Sequence, residues 1–209
     1  MPTCIEITAY SFTELAPAAQ EKARSWFREG IDSSDAIREH YRYTLGELGY
    51  PTDTICFSLG YCQGDGMAFY GQVELEEFFT KRLTCAESVP EFRLSDNNVL
   101  ASLRDRIGKD IDAFSCSIGR NTCGWRYSHF NTMSVSVDFD TGQEDAWRLE
   151  LLADELEQWL DRDVRAVSKL LEQAGYDIIE GDRADEQVDE GICANEYLFT
   201  ASGGRSYTL

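Results

Sequence analysis

Basic residues are scarce in this 209-residue chain relative to its acids. Nineteen Lys and Arg stand against 38 Asp and Glu, a formal net charge of −19. A field of that sign repels nucleic acid and anionic membrane and attracts basic surfaces, so direct binding of DNA, RNA or membrane is not expected. The excess gathers toward the C-terminal end. Between Glu144 and Glu190 sixteen acids meet five bases, which accounts for −11 of the total.

Proline is also scarce, at four residues, and no Ser/Gly-rich run suggests a linker. With roughly 100–200 residues per domain, the expectation is one domain over residues 1–209. No apolar run approaches the ~18 residues that suggest a membrane span. The N-terminus alternates instead of placing a basic region before an apolar one, so no signal peptide is read there. A soluble, cytoplasmic protein is expected, in the host cytoplasm if a phage encodes it. The 43% hydrophobic and 12% aromatic content exclude a disordered acidic tail, which would be poor in aromatics.

Histidine is limited to His40 and His129, and neither sits in a recognisable Cys–His or Ser–His motif. Catalysis through Cys123 and His129 would lack an orienting third residue, so no catalytic residue is assigned. The seven cysteines are odd in number and scattered singly. They read as reduced, mostly buried thiols and not as a disulfide frame. Cys56/Cys62 and Cys116/Cys123 are spaced too widely for the close pairs of structural zinc. Asp138, Asp140 and Gly142 resemble the start of a calcium loop. Gly142 falls one position early, however, and no Glu follows where the bidentate ligand belongs. No metal or cofactor is expected.

Periodicity supplies the positive content. A short strand is predicted over Ile5–Ala9, with Thr13 as an N-cap and a helix over Ala18–Arg28. A second helix is expected over Ser34–Leu48, stopped by Gly49. Thr54–Leu59 and Met67–Val73 read as a hairpin whose connection, Gly60–Gly66, offers positive-φ sites. Short helices follow near Leu75–Arg82 and Asn98–Ile107, then strands over Ile111–Ile118 and Thr132–Phe139, joined by Gly119–Tyr127. In the second strand Met133, Val135, Val137 and Phe139 point inward and Thr132, Ser134, Ser136 and Asp138 outward. The longest helix is predicted from Gln143 to Ala174, with a buried stripe at Leu149, Leu152, Leu156, Leu160, Val164, Val167, Leu171 and Ala174 and Gly175 closing it. A helix over Asp185–Cys193 and a ribbon of Tyr197–Thr200 with Ser206–Leu209 complete the chain. The pattern predicts an α+β domain, an antiparallel sheet packed by several helices, including one long helix in the C-terminal half.

Two constellations remain as candidate sites. Gly60, Gly64, Asp65 and Gly66 lack the spacing of a phosphate loop, and a strand follows them where a phosphate loop needs a helix N-terminus. They read as a structural turn. Glu150, Asp154, Glu157 and Asp161 fall at i, i+4, i+7 and i+11 and line one side of the long helix. Neighbouring Cβ atoms there lie about 5–6 Å apart, comparable with successive phosphates of a nucleic-acid strand. Like charges in a row cost helix stability, so a binding role is the expectation set against a merely solvated face.

Three blocks carry a resemblance. They are Tyr10–Leu15 followed by Ala19, Lys22, Ala23 and Arg24; Phe57–Gly71; and Asp185–Thr200 with Gly204-Arg205 behind it. In order and spacing they resemble a family of small, uncharacterised phage and prophage proteins, some labelled antitoxins of a toxin–antitoxin stability system. The chain departs from that pattern at Tyr61-Cys62, where an aromatic pair is expected. The resemblance implies a mobile element in conflict with host machinery and brings no catalytic residues.

Charge and resemblance together give the functional expectation. An acidic accessory protein would bind and inhibit a host defence complex, anti-CRISPR-like or antirestriction-like, by occupying a basic nucleic-acid-binding surface. The partner would be a host protein or nucleoprotein complex with a basic face, and the oligomeric state is left open. The alternatives are an antitoxin that neutralises a toxin by direct binding, or an unrecognised enzyme.

Overall fold

The computed structural model describes residues 8–94, 97–121, 127–140 and 146–206. In chain order the elements are β1 (Tyr10–Ser11), α1 (Pro17–Glu29), α2 (Ser34–Glu47), β2 (Thr54–Ser58), β3 (Gly66–Val73), α3 (Leu75–Thr84), α4 (Asn97–Ile107), β4 (Phe114–Arg120), β5 (Met133–Phe139), α5 (Ala146–Asp182), α6 (Asp185–Ala194) and β6 (Leu198–Phe199). The architecture is α+β with antiparallel sheets and a long helix in the C-terminal half. Two compact units are distinguished, Ala36–Tyr176 and the two flanks, Met1–Asp35 with Asp177–Leu209.

In the central unit, β2, β3, β4 and β5 form a four-stranded antiparallel sheet in that order. Side chains alternate across it as the two-residue strand period requires. Met67, Phe69, Val73, Cys116, Ile118, Met133 and Val137 are buried on one face. Ser115, Ser134, Ser136 and Asp138 are exposed on the other. The helices cover the apolar face. Tyr50 packs its ring 5.2 Å from both Phe69 and Phe78, and Trp159 of α5 meets Phe78 at 6.1 Å. The Ser168 hydroxyl of α5 donates to the Met67 carbonyl. Leu149, Leu152, Leu156, Leu160, Val164, Val167 and Leu171 are all at most 2% exposed. Burial of that row is worth about 1.5–3 kcal/mol per side chain before conformational entropy is subtracted.

The flanking unit pairs β1 with β6 and lays α1 beside α6. Its core is Phe12, Leu15, Ala19, Ala23, Val188, Ile192 and Phe199. Small residues allow the close approach: a Cβ on Gly191 would stand 2.8 Å from the Phe27 ring. Arg24 donates twice to Asp189, at 2.6 and 2.7 Å, and the Arg205 guanidinium lies about 5 Å from the Trp26 and Tyr197 rings.

Several boundaries differ from expectation. Ile5 and Ile7 lie outside the described residues, and the first described strand is Tyr10–Ser11. Thr13 sits within a 3-10 turn, Phe12–Glu14, and α1 begins after Ala16 without a side-chain cap. Residues Gly108–Ala113 form a 3-10 turn, so β4 starts at Phe114 and not at Ile111. Arg148 holds Asp110 of that turn at 2.8 Å. Thr132 is buried, its hydroxyl donating to the His129 carbonyl at 2.8 Å, and β5 begins one residue later. The C-terminal ribbon is represented by the Phe199–Arg205 bridge, and residues 207–209 lie outside the described ones.

The largest difference is at Gly175. It does not close α5, which continues to Asp182. A Cβ at this position would collide with the Tyr41 hydroxyl and come within 2.5 Å of Leu59 Cδ1. The glycine is an interhelical contact point, and its helix cost of about 1 kcal/mol is offset by that packing.

Candidate functional site

The apolar stripe of α5 turns the opposite side of the helix outward. At 100° per residue, Trp147, Glu150, Leu151 and Asp154 share one outer face. Trp147 is 66% and Leu151 53% exposed. Glu150 and Asp154 are exposed and make no hydrogen bond or ion pair to a described residue. The other two members of the sequence-read acidic row are committed elsewhere. Glu157 accepts the Val137 backbone N–H at 3.0 Å and so occupies part of the open edge of β5. Asp161 receives two bonds from Arg165, both 2.8 Å. Glu155, on the neighbouring flank, pairs with Arg106 at 2.5 and 2.9 Å, and this pairing holds its carboxyl below the usual carboxylate range. Among the described residues the row therefore divides into two acids without a partner beside two exposed apolar side chains, and two acids bound within the protein.

The connection between β2 and β3 is organised around Asp65. Its carboxylate accepts the backbone N–H groups of Gly60 at 2.8 Å and Cys62 at 2.9 Å, and the Tyr176 hydroxyl at 2.5 Å. Burial opposes ionisation, but the bonds from Tyr176, Cys62 and Gly60 outweigh it and hold this carboxyl well below its ordinary value. Burial and the bond to Asp65 push the Tyr176 phenol up to about 12. Gly64 has φ +102°, and a Cβ there would stand 2.9 Å from the Tyr127 ring; one on Gly66 would stand 2.8 Å from the Ser128 carbonyl. Gly60 has no positive φ and contributes its N–H. Tyr61 does adopt a left-handed φ of +55° and packs its ring 4.7 Å from Tyr176. That conformation costs a non-glycine residue about 1–2 kcal/mol.

A buried ion pair was hidden in the charge count. Asp163 belongs to the acidic stretch but is only 7% exposed, and Arg82 of α3 only 3%. Arg82 donates to both Asp163 oxygens, at 2.8 and 2.6 Å, and to the Phe92 carbonyl at 2.7 Å. The Tyr50 hydroxyl donates to the same carboxylate at 2.6 Å. Burial works against the Arg82 charge, but Asp163 more than compensates and raises its pKa. Burial, reinforced by Asp163, raises that of the Tyr50 phenol. The pair shows in sequence only as Asp163 lying one residue from the apolar stripe at Val164.

The remaining chemistry-bearing residues are dispersed. His129 uses Nδ1 to accept the Asn131 N–H at 3.2 Å, which caps a short turn, and Cys123 lies outside the described residues. His40 Nε2, Tyr41 Oη and Thr44 Oγ1 on α2 are buried with no hydrogen-bond partner among the described residues. Hydrogen bonding to Asp65 raises the Cys62 thiol pKa, the reverse of what an activated nucleophile needs. Burial pushes Cys116 up to about 12. Cys56, Cys62, Cys85, Cys116 and Cys193 are free thiols. Among the described residues no group of three His, Cys, Asp or Glu is placed to hold a metal ion, and no helix is long and apolar enough to cross a membrane.

Fold and surface define an acidic α+β protein whose central sheet carries helices on one face and whose longest helix presents an aromatic–acidic outer face. The chain belongs to a family defined by a domain of unknown function, DUF8835, which matches residues 33–181, more than half of its length and all of the central unit. No curated protein and no solved structure matches it.

Proposed function

We propose that this protein acts by binding a basic partner through the outer face of α5. The observation that carries this is the grouping of Trp147 and Leu151, both more than half exposed, with Glu150 and Asp154, which have no partner among the described residues. Exposed aromatic side chains are favoured anchors at interfaces, and flanking carboxylates select a basic surface and speed encounter. The net charge of −19 adds long-range attraction of the same sign. The resemblance to phage and prophage proteins supports the setting: inhibition of a host defence complex, with the acidic face occupying a basic nucleic-acid-binding surface.

The test compares capture of host proteins by the wild type and by a variant carrying Trp147→Ala, Glu150→Lys, Leu151→Ala and Asp154→Lys, followed by salt titration with the purified partner. A basic nucleic-acid-binding partner retained by the wild type, lost by the variant and released by salt is the expected result. Binding indifferent to these substitutions removes α5 from the interface. A small toxin as the captured partner would replace the anti-defence reading with neutralisation of that toxin. Turnover of a substrate at substoichiometric protein would end the binding mechanism.

A further inference from the structure

Beneath α5, on a flank separate from the Trp147–Asp154 face, a pocket of about 230 Å³ opens between α3, a short 3-10 turn over Pro90–Phe92 and the helix. Its deep side is the Arg82–Asp163 pair, and its walls include Phe92, Trp159, Val167 and Leu170. Two further arginines, Arg93 and Arg162, line it and are exposed. Arg93 has no ion-pair partner among the described residues. Among the described residues Arg162 engages only its Nε–H, on the Gln158 carbonyl at 3.2 Å, and neither terminal nitrogen.

The balance of charge is the informative feature. Asp163 is neutralised by Arg82 through two short bonds, so the two outer arginines make the lining positive in a chain of net charge −19. A guanidinium fork matches a carboxylate bidentately, while the apolar walls offer nothing to a bare ion. The volume falls below the 300–1,000 Å³ usual for drug-sized ligands, which limits the occupant to a fragment. We infer that this pocket binds a small amphipathic carboxylate, its apolar body against Trp159 and Leu170 and its carboxylate held at the mouth by Arg93 and Arg162. This inference does not depend on the α5 outer face.

The probes are sodium benzoate, benzyl alcohol as its neutral counterpart, and inorganic phosphate. The readout is the Trp159 indole resonance, identified by its loss in Trp159→Phe. Benzoate should shift it saturably, and more weakly as salt rises. Arg93→Ala with Arg162→Ala should weaken binding about tenfold or more. Both residues are exposed, so the fold should be unchanged by circular dichroism. Leu170→Asp, which places a negative charge on the wall, should also weaken benzoate, and it serves as the second variant if the double substitution unfolds. Four results would each overturn the inference: no saturable benzoate shift, equal binding of benzyl alcohol, equal or tighter binding of phosphate, or benzoate affinity unchanged by the folded arginine variant.

Discussion

Asp65 concentrates at one residue several demands of the β2–β3 connection. It receives two backbone N–H groups that would otherwise face the turn unpaired, and it anchors Tyr176 of α5. Because its carboxyl titrates below the ordinary range, its contribution is fully present above the unfolded value near 3.9 and is lost as pH falls toward the folded one. Asp65→Asn should cost about 2 kcal/mol at pH 6 and less at pH 3, so the gap between wild type and variant narrows on acidification. Urea unfolding at the two pH values measures this, and a gap that stays constant contradicts it. Arg82 and Asp163 illustrate a different lesson. Removing one partner of a buried pair leaves an uncompensated charge, so each depends on the other for its place in the core.

At the scale of elements, α5 has the strongest sequence signal and the most instructive departure. Seven of its eight predicted stripe positions are buried, because a 3.6-residue period with Leu and Val can bury a row in only one way. Its end is not legible at Gly175, because glycine commonly follows a helix end and nothing local distinguishes a stop from a contact point. Propensity alone says that Gly175→Ala stabilises α5 by about 1 kcal/mol. The packing of Tyr41 and Leu59 on this glycine reverses the sign, and the substitution should lower Tm; a raised Tm would show that both neighbours can move aside. The alternation of β5 was legible for Ser134, Ser136 and Asp138 outward and for Met133 and Val137 inward. The β4 start was not, since Ile111 continues an apolar pattern that Gly108 and the Asp110–Arg148 bond turn into a 3-10 segment. The acidic row was legible as a row. That Glu157 faces the edge of β5 depends on where the sheet lies, whereas the Asp161–Arg165 pair is a local i,i+4 contact that helix geometry alone allows.

At the scale of the whole molecule, the two compact units share α5, whose last residues from Asp177 belong to the flanking unit and the rest to the central one. Helix formation is cooperative, and breaking a helix in its middle exposes unpaired backbone groups on both sides. Calorimetry of the full chain should therefore show one unfolding transition, with the calorimetric enthalpy equal to the van't Hoff value. Two separated transitions would mean that α5 melts at the boundary near Tyr176. The acidic excess acts at this scale too. At least six of the 38 acids are neutralised locally by Arg24, Arg28, Arg82, Arg106, Arg148 and Arg165, which leaves the free charge on fewer positions than a count of acids implies.

The sequence by itself determined the fold class, the long helix and its buried stripe, the position of most elements, and the sign of the field around the protein. Each follows from composition or from a period within one element, and needs no knowledge of what lies opposite. Only the tertiary structure decided which charges are free. Asp163 and Asp161 are both aspartates of the same helix, two residues apart, yet one is buried against Arg82 and the other is held at the surface by Arg165. The tertiary structure also placed Trp147 and Leu151 outward beside Glu150 and Asp154, and brought Arg82, Arg93 and Arg162 to one pocket from separate segments. A charge acquires its role from the groups that desolvate or pair it; for Asp161 that group is four residues away on the same helix, while for Asp163 it comes from a segment 81 residues away.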